Sequence, residues 1–224
     1  MRIGGFVPVS LCDYPCRVAA VIFTQGCNFR CPFCHNGHLV EHEGRNALLD
    51  EAAVLALLAE RRNRLGGVVV TGGEPTLQGD LPQFLHRLQQ LGLAVKLDTN
   101  GSQPDVLQAL LADRLVDYVA MDLKAPWDKY DRLTGHACDT ILLRRSMRLI
   151  AASGLPHEFR TTRVEALLTA DDCSEITHQV PSGSTHKWQR FRPEHSLDLS
   201  LRPVADTPVA APPAVPVVTQ VPLS

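Results

Sequence analysis

The sequence lacks the features of nucleic-acid-binding, membrane-spanning and exported proteins. Its 22 Lys and Arg residues are outnumbered by 24 Asp and Glu residues, whereas nucleic-acid-binding proteins usually carry a basic surface. It has no unbroken apolar run of about 18 residues, which a membrane-spanning helix would require. The first residues, MRIGGFVPVSLCDYP, lack the basic start and apolar stretch of an export signal. We therefore expect a cytoplasmic protein with neither nucleic acid nor membrane as a partner.

The cysteine content argues against a disulfide framework. The chain has 7 cysteines, an odd number, and three of them cluster in TQGCNFRCPFCHNG, residues 24–37. Thiols of a cytoplasmic protein stay mostly reduced, so clustered cysteines are more typical of metal chemistry. The cluster contains Cys27, Cys31 and Cys34, followed directly by His35. This loop is therefore the first candidate for a metal site.

Three kinds of metal site are compatible with the local pattern. CPFCH has the spacing of a covalent haem attachment site, but that chemistry normally follows export. A structural zinc site usually pairs two separated half-sites, and no second CxxC follows in the sequence. A four-iron cluster is normally held by four thiolates, so three local cysteines would leave one iron open to a small-molecule ligand. The rest of the chain has to distinguish haem, zinc and iron–sulfur.

Apolar runs of strand length alternate with helical patterns along most of the chain. The first run, VAAVIFT at 18–24, leads directly into the cysteine loop. Further strands are predicted at 66–73, 94–101, 116–124, 157–165 and 186–193, and helices at 47–64, 81–92, 104–115, 140–154 and, after the N-cap candidate Thr169, at 170–180. Six such repeats predict an α/β fold with a parallel sheet covered by helices.

The polar residues of this pattern collect where the predicted strands end. TGGEP, DTNG and DLK follow three successive strands after the cysteine loop. In parallel sheets the carboxyl ends of the strands meet at one edge, where ligands usually bind. Gly, Asp and Asn are also common in ordinary turns. Four such loops in succession nevertheless favour a functional site at this edge.

The composition changes near the carboxyl end of the sequence. From Arg202 onward the chain is rich in Pro, Val and Ala, with almost no charge and no periodicity. Prolines at this density remove amide donors and prevent helix formation. We therefore predict one domain over residues 1–201 and a disordered tail over residues 202–224.

Several of these motifs resemble those of a known enzyme family. CNFRCPFC has the Cys-x3-Cys-x2-Cys form of the radical S-adenosylmethionine (SAM) superfamily, and GGEP resembles its methionine-binding loop. Longer stretches, including VKLDTNG and VDYVAMDLKAPWDKY, resemble the anaerobic ribonucleoside-triphosphate reductase activating proteins. These belong to the wider glycyl-radical-enzyme activases. The resemblance covers about residues 1–196.

The resemblance implies a partial (β/α)6 barrel that holds a [4Fe-4S] cluster and SAM. It implies that Cys27, Cys31 and Cys34 bind three irons, while SAM chelates the fourth. The other implied SAM contacts are Phe33 near the adenine, Gly72, Gly73 and Glu74 at the methionyl amino group, and Asp98, Asn100, Asp122, Lys124 and Arg160 around the ribose and methionyl carboxylate.

The resemblance also implies an activity. The reduced cluster would cleave SAM, and the resulting 5′-deoxyadenosyl radical would take a hydrogen from a glycine of a partner, a glycyl-radical enzyme such as anaerobic ribonucleoside-triphosphate reductase. Flavodoxin or ferredoxin would donate the electron. Because Asp98 and Asp122 would face the SAM carboxylate, we also hypothesise a bound monovalent cation between them.

Two other functions remain open from the sequence. One is a radical SAM enzyme that acts on a small molecule, such as a 7-carboxy-7-deazaguanine synthase. The other, from a different class, is a non-enzymatic metal-binding or electron-transfer protein. GGEP, DTNG and DLK argue against this last function, because an electron carrier has no need of a pocket for methionine.

Overall fold

The computed structural model describes residues 1–41 and 47–202. Within them, seven strands form one sheet in the order β1 to β7. The strands are β1 Ile3–Ser10, β2 Ala19–Thr24, β3 Gly67–Gly72, β4 Ala94–Thr99, β5 Tyr118–Asp122, β6 His157–Arg163 and β7 Thr185–Arg190. The six strands from β2 to β7 are parallel, and β1 is antiparallel to β2. The sheet is not closed, because β1 and β7 are its two edges.

The helices follow the strands as the alternation predicts. They are α1 Glu51–Arg61, α2 Leu81–Gln90, α3 Pro104–Ala112, the short α4 Tyr130–Thr134, α5 Thr140–Ala152 and α6 Ala170–Gln179. Thr169 is confirmed as an N-cap, since its side chain accepts from the amide of Asp172 in a reciprocal capping box. The α/β fold with an open parallel sheet, compatible with a partial (β/α)6 barrel, is thus as predicted.

One strand and one α-helix of the described residues were not predicted. In β1, Gly4, Gly5 and Pro8 interrupt the alternation that would identify a strand, and register shifts mark both ends of its pairing. The other is α4, whose five residues are too few to show a helical period. The predicted tail lies outside the described residues from position 203 onward.

Alternate strand residues give the sheet two different faces. The outer face packs its apolar side chains against the helices, forming one large core. On the inner face, Val21 and Val69 form a second, small cluster with Tyr14 and Ala19 at the β2–β3 side. From β4 to β7, the inner face carries charged residues instead, among them Lys96, Asp98, Asp122, Glu158 and Arg160. The inner face therefore combines an apolar part with a strongly charged one.

In the described residues, every helix falls short of the length and apolarity needed to cross a bilayer.

Candidate functional site

One cavity of about 320 Å³ lies at the carboxyl edge of the parallel strands. Its walls come from the loops after β2, β3, β4 and β5, together with residues of β6 and β7. All the residues predicted for the site line it, namely Cys27, Cys31, Phe33, Cys34, Gly72, Gly73, Glu74, Asp98, Asn100, Asp122, Lys124 and Arg160. The structure therefore brings together side chains that are up to 133 positions apart in sequence (27 to 160). Their proposed roles are a separate question.

Backbone hydrogen bonds close the base of the cysteine loop. The amides of Gly26 and Cys27 donate to the carbonyls of Leu39 and Val40, at 2.7 and 3.0 Å. Within the loop, the amide of Cys34 donates to the carbonyl of Cys31 at 3.0 Å, forming a tight turn between them. The positions of the thiols are thus set by a loop whose two ends are tied together.

The three thiols are the donors available to a metal cluster. Burial raises the pKa of Cys31 to about 12 and that of Cys27 to about 11, and it also raises the pKa of Cys34. Metal binding would therefore release protons from these thiols. Soft thiolate donors suit iron–sulfur clusters as well as zinc. The other four cysteines do not line the cavity.

The residues present fit a cluster with one open coordination position. Three thiols line the cavity, and its other lining residues in the described part of the chain include polar and charged side chains but no fourth thiol. Among residues 1–41 and 47–202, no three His, Cys, Asp or Glu side chains are gathered as they would be around a single metal ion. A four-iron cluster holds its thiolates at separate corners and so requires a wider arrangement than one ion.

Gly72 and Gly73 lie where the end of β3 presses against the chain that follows β2. Gly72 has a φ of +112°, and a Cβ there would lie 2.4 Å from the amide nitrogen of Thr24. A Cβ on Gly73 would lie 2.1 Å from the carbonyl oxygen of Gly26. Both contacts are to backbone, which cannot move aside as a flexible side chain would. Glycine is therefore required at both positions for the loops to meet.

Glu74 connects the loop after β3 to the loop after β4. Its buried carboxylate accepts from the amide of Thr76 at 3.1 Å, the hydroxyl of Thr99 at 2.7 Å and the amide of Asn100 at 2.6 Å. Burial raises the pKa of Glu74, and these donors oppose the rise. The carboxylate is engaged by protein donors, so it supports the shape of the site rather than facing a ligand. The resemblance implies a turn-supporting role for this carboxylate, and that role stays a prediction.

Asn100 joins the same loop to the cysteine loop. Its side-chain amide donates to the Oδ1 of Asn28 at 2.9 Å, and its own Oδ1 accepts from the amide of Ser102, also at 2.9 Å. The buried ring of Phe33 lines the cavity from the cysteine loop itself. Three neighbouring loops are therefore hydrogen bonded to one another before any ligand is considered.

A chain of alternating charges crosses the inner face below the thiols. Arg160 donates to Asp122 at 2.9 Å and to Asp98 at 3.0 Å. Lys96 extends the chain on one side, at 2.5 Å from Asp98, and Lys124 extends it on the other, at 3.3 Å from Asp122. Arg160 thus occupies the space between the two carboxylates where we hypothesised a monovalent cation. The guanidinium of Arg160 provides the positive charge that the hypothesis required beside the two carboxylates. A bound monovalent cation stays a prediction.

The neighbouring charges determine how these groups titrate. Burial acts to raise the pKa of Asp122, but Arg160 and Lys124 outweigh burial and lower it. Burial acts to lower the pKa of Lys124 and of Arg160, but the carboxylates raise both above their ordinary values. All three groups are therefore charged near neutral pH. The site can complement an anionic carboxylate with Arg160 or Lys124 and a cationic group with Asp98 or Asp122.

Lys96 was not predicted as part of this site. It is 1% exposed and lies two residues before Asp98, so both side chains point to the same face of β4. A lysine within the apolar run AVKL was the signal that could have identified it, because buried lysines are rarely unpaired. Its ammonium also lies over the ring of Tyr118, at 5.9 Å from the centroid.

The chain is similar to proteins of known family. A sequence model of the radical SAM superfamily matches residues 21–198. A protein of Methanocaldococcus jannaschii, provisionally named a glycyl-radical enzyme activating enzyme, is 33% identical over 204 residues, covering 88% of this chain and 82% of that protein. The 7-carboxy-7-deazaguanine synthase of Methanopyrus kandleri is 34% identical over 127 residues, covering 48% of this chain and 49% of that one.

A solved structure shares the fold. Streptococcus suis SuiB bound to S-adenosylmethionine superposes with a TM-score of 0.61 at 17% identity, covering 77% of this chain and 40% of SuiB. The chain therefore spans less than half the length of SuiB and about half that of the synthase. Together with the family match over most of the sequence, these similarities show that the chain belongs to the radical SAM superfamily.

Proposed function

We propose that this protein activates a glycyl-radical enzyme and that its partner is anaerobic ribonucleoside-triphosphate reductase. The observation that carries the proposal is the convergence of three thiols and the Asp98–Arg160–Asp122–Lys124 charges on one cavity. Similarity to the archaeal activating enzyme supports it, because that similarity covers most of both proteins. The reactants of the proposed reaction are one electron, SAM and a glycine of the partner. The products are methionine, 5′-deoxyadenosine and a glycyl radical on the partner.

In this proposal the cysteine loop holds a [4Fe-4S] cluster. Cys27, Cys31 and Cys34 would hold the cluster, and the absence of a fourth thiol from the described residues of the cavity lining would leave one iron for SAM. When bound, the reduced cluster supplies the electron that cleaves the sulfonium of SAM. Flavodoxin or ferredoxin is the proposed source of that electron.

The remaining residues hold SAM in the cavity. Phe33 packs near the adenine, and the loop of Gly72 and Gly73, supported by Glu74, receives the methionyl amino group. Arg160 and Lys124, the two cationic residues of the cavity wall that we assign to SAM, are proposed to face the methionyl carboxylate. Asp98, Asn100 and Asp122 complete the polar wall. A monovalent cation at Asp98 and Asp122 would compete with Arg160 for the same oxygens, so exchanging Na⁺ for K⁺ or removing both should change SAM affinity.

The test is radical formation on the partner. The full-length protein is reconstituted anaerobically with iron and sulfide, reduced, and mixed with SAM and an anaerobic reductase. A glycyl-radical doublet in the EPR spectrum, with 5′-deoxyadenosine produced, is the expected result. Cys31→Ala should abolish both signals, whereas Cys138→Ala, a matched change outside the cavity, should leave both unchanged.

A second candidate is a radical SAM enzyme acting on a small molecule. The similarity to a 7-carboxy-7-deazaguanine synthase over 127 residues favours it. Production of 5′-deoxyadenosine without a radical on any tested reductase would support this function over the first. A protein that binds a cluster but neither binds nor cleaves SAM would instead be a non-enzymatic electron carrier.

A further inference from the structure

The chain that follows β7 returns to the cysteine loop. Residues 191–202, which we call the strap, contact the cysteine loop at three positions between Pro32 and Gly37. The amide of Asp198 donates to the carbonyl of Pro32 at 2.8 Å, and the amide of Arg192 donates to the Nε2 of His35 at 3.1 Å. At Gly37, an added Cβ would lie 2.8 Å from Leu197, so the two chains are packed in contact. The strap therefore contacts the loop both before and after Cys34 in sequence.

His35 makes two different contacts with the strap. Besides accepting from the amide of Arg192, its ring stacks on Phe191 at 5.7 Å between centroids and with 12° between planes. Because Nε2 is an acceptor, the neutral ring carries its proton on Nδ1. The residue that directly follows the last cysteine is thus held by both a hydrogen bond and an aromatic stack.

The strap is internally bonded rather than a loose chain end. Ser196 is fully buried, and its hydroxyl lies 2.8 Å from the carbonyls of Pro193 and Asp198. The side chain of Arg202 donates to the carbonyl of Ser196 from Nε at 3.2 Å and from Nη2 at 2.8 Å. Two short 3₁₀ helices, Pro193–His195 and Leu199–Leu201, shape the segment further. A segment bonded in this way can transmit a fixed position to the loop it touches.

The position of the loop matters for the thiol of Cys34. The amide of Cys34 itself donates to the carbonyl of Cys31 at 3.0 Å, and the amide of Asn36, two residues after Cys34, directly follows His35. Amide donors to cluster sulfurs stabilise the more negative, reduced cluster and so raise its reduction potential. If His35 moves, the amide of Asn36 moves with it.

We propose that the strap fixes the shape of the cysteine loop for cluster binding and that His35 is the positioning residue that joins them. The inference rests on the cluster binding of the proposed function. The strap does not need to touch the thiols, because it acts through His35 and through the backbone of Pro32. The proposal predicts that substitutions of His35, which is not one of the proposed cluster ligands, alter both the retention and the reduction potential of the cluster.

Three substitutions separate the two contacts of His35. His35→Ala removes both contacts, His35→Gln keeps an acceptor for the Arg192 amide, and His35→Phe keeps a ring against Phe191. In the reconstituted full-length protein, His35→Ala should shift the cluster potential to more negative values, alter the EPR g-values of the reduced cluster and speed cluster loss to a chelator about tenfold. Gln and Phe should each restore part of these values.

A change within the strap tests the same idea from the other side. Ser196→Ala removes the buried hydroxyl that shapes the strap, and it should shift the potential in the same direction as His35→Ala. His38→Ala is the matched control, because His38 lies on the same loop but is exposed. It should keep the wild-type potential and chelator rate.

Hydrogen exchange provides a readout that does not depend on the cluster. His35→Ala and Ser196→Ala should speed exchange of the amides at residues 34–36, and His38→Ala should not. Wild-type potential, chelator rate and exchange in both His35→Ala and Ser196→Ala would overturn the proposal. If the wild-type protein bound no cluster, the proposed function would fail, whereas the exchange measurement would still decide whether the strap positions the loop.

Discussion

The outer and inner faces of the parallel sheet bury different kinds of side chain. On β6, Phe159 points outward into the helix-covered core and is completely buried, whereas Glu158 and Arg160 on either side of it point inward. On β4, Leu97 is likewise in the outer core, between the inward-facing Lys96 and Asp98. Because side chains alternate along a strand, a single strand contributes to both faces.

The outer face mainly stabilises the fold, whereas the inner face supplies charged side chains to the candidate site. Apolar burial on the outer face stabilises the fold at about 25 cal/mol per Å². The charges of the inner face gain less, because desolvation opposes their attraction. Asp98 and Asp122 lie at the carboxyl ends of β4 and β5, and Arg160 lies opposite Asp122 in the middle of β6. A shift of one residue in register would exchange the two sets, so the apolar face also fixes the position of the charges.

The largest expected effect comes from the outer face. Phe159→Ala leaves a cavity in the core and should lower the free energy of unfolding by about 4 kcal/mol. Denaturant unfolding measures this loss. The SAM dissociation constant, measured where the variant is still folded, should stay close to that of the wild-type protein. A large loss of SAM affinity in the folded variant would show that the two faces are not separate.

The neighbouring residue on the inner face should behave in the opposite way. Arg160→Met leaves Asp98 and Asp122 without their shared partner, although Lys96 and Lys124 still pair with them. We expect a loss of about 2 kcal/mol in unfolding free energy, below the range for a fully orphaned buried charge. The SAM dissociation constant should rise at least about tenfold, equivalent to ~1.4 kcal/mol.

A double variant checks the cause of that effect. Adding Asp98→Asn to Arg160→Met removes one of the unpaired carboxylates, so the two changes should be less than additive in unfolding free energy. Isothermal titration with SAM should still show weak binding, because the guanidinium is absent. Simple additivity would contradict direct coupling between the two residues.

Local patterns were sufficient for β2 to β7, for α1, α2, α3, α5 and α6, and for the gathering of the predicted site residues at one cavity, but not for β1, α4 or Lys96. Each predicted feature depends on neighbours in sequence: apolar periodicity for the elements, and cysteine spacing or glycine pairs for the loops. The position of Arg160 between Asp98 and Asp122 was not predictable, because it depends on the parallel pairing of β5 with β6. The contact between His35 and Phe191 joins residues 156 positions apart and leaves no local pattern at all.

Low pH should reduce the unfolding free energy partly through Asp122, a carboxylate of the inner face. The pKa of Asp122 lies below its ordinary value of 3.8, despite burial, because Arg160 and Lys124 stabilise its charged form. A carboxylate with a lowered pKa adds stability above that ordinary value and loses it as pH falls through the lowered pKa. Asp122→Asn should therefore show a shallower decline of unfolding free energy below pH 3.8 than the wild-type protein. Equal slopes in urea titrations across this range would contradict the assignment.

The smallest effect should come from an arginine at the end of the same strand. Arg163 is 60% exposed and lies 3.7 Å from Glu165, which is 83% exposed. Solvent screens such a pair, so Arg163→Met should change the unfolding free energy by at most about 0.5 kcal/mol and leave SAM affinity unchanged. The same substitution three residues earlier, Arg160→Met, is expected to affect both. If the two variants gave equal losses, the effect of Arg160 would come from the general charge of β6 rather than from its buried position between two carboxylates.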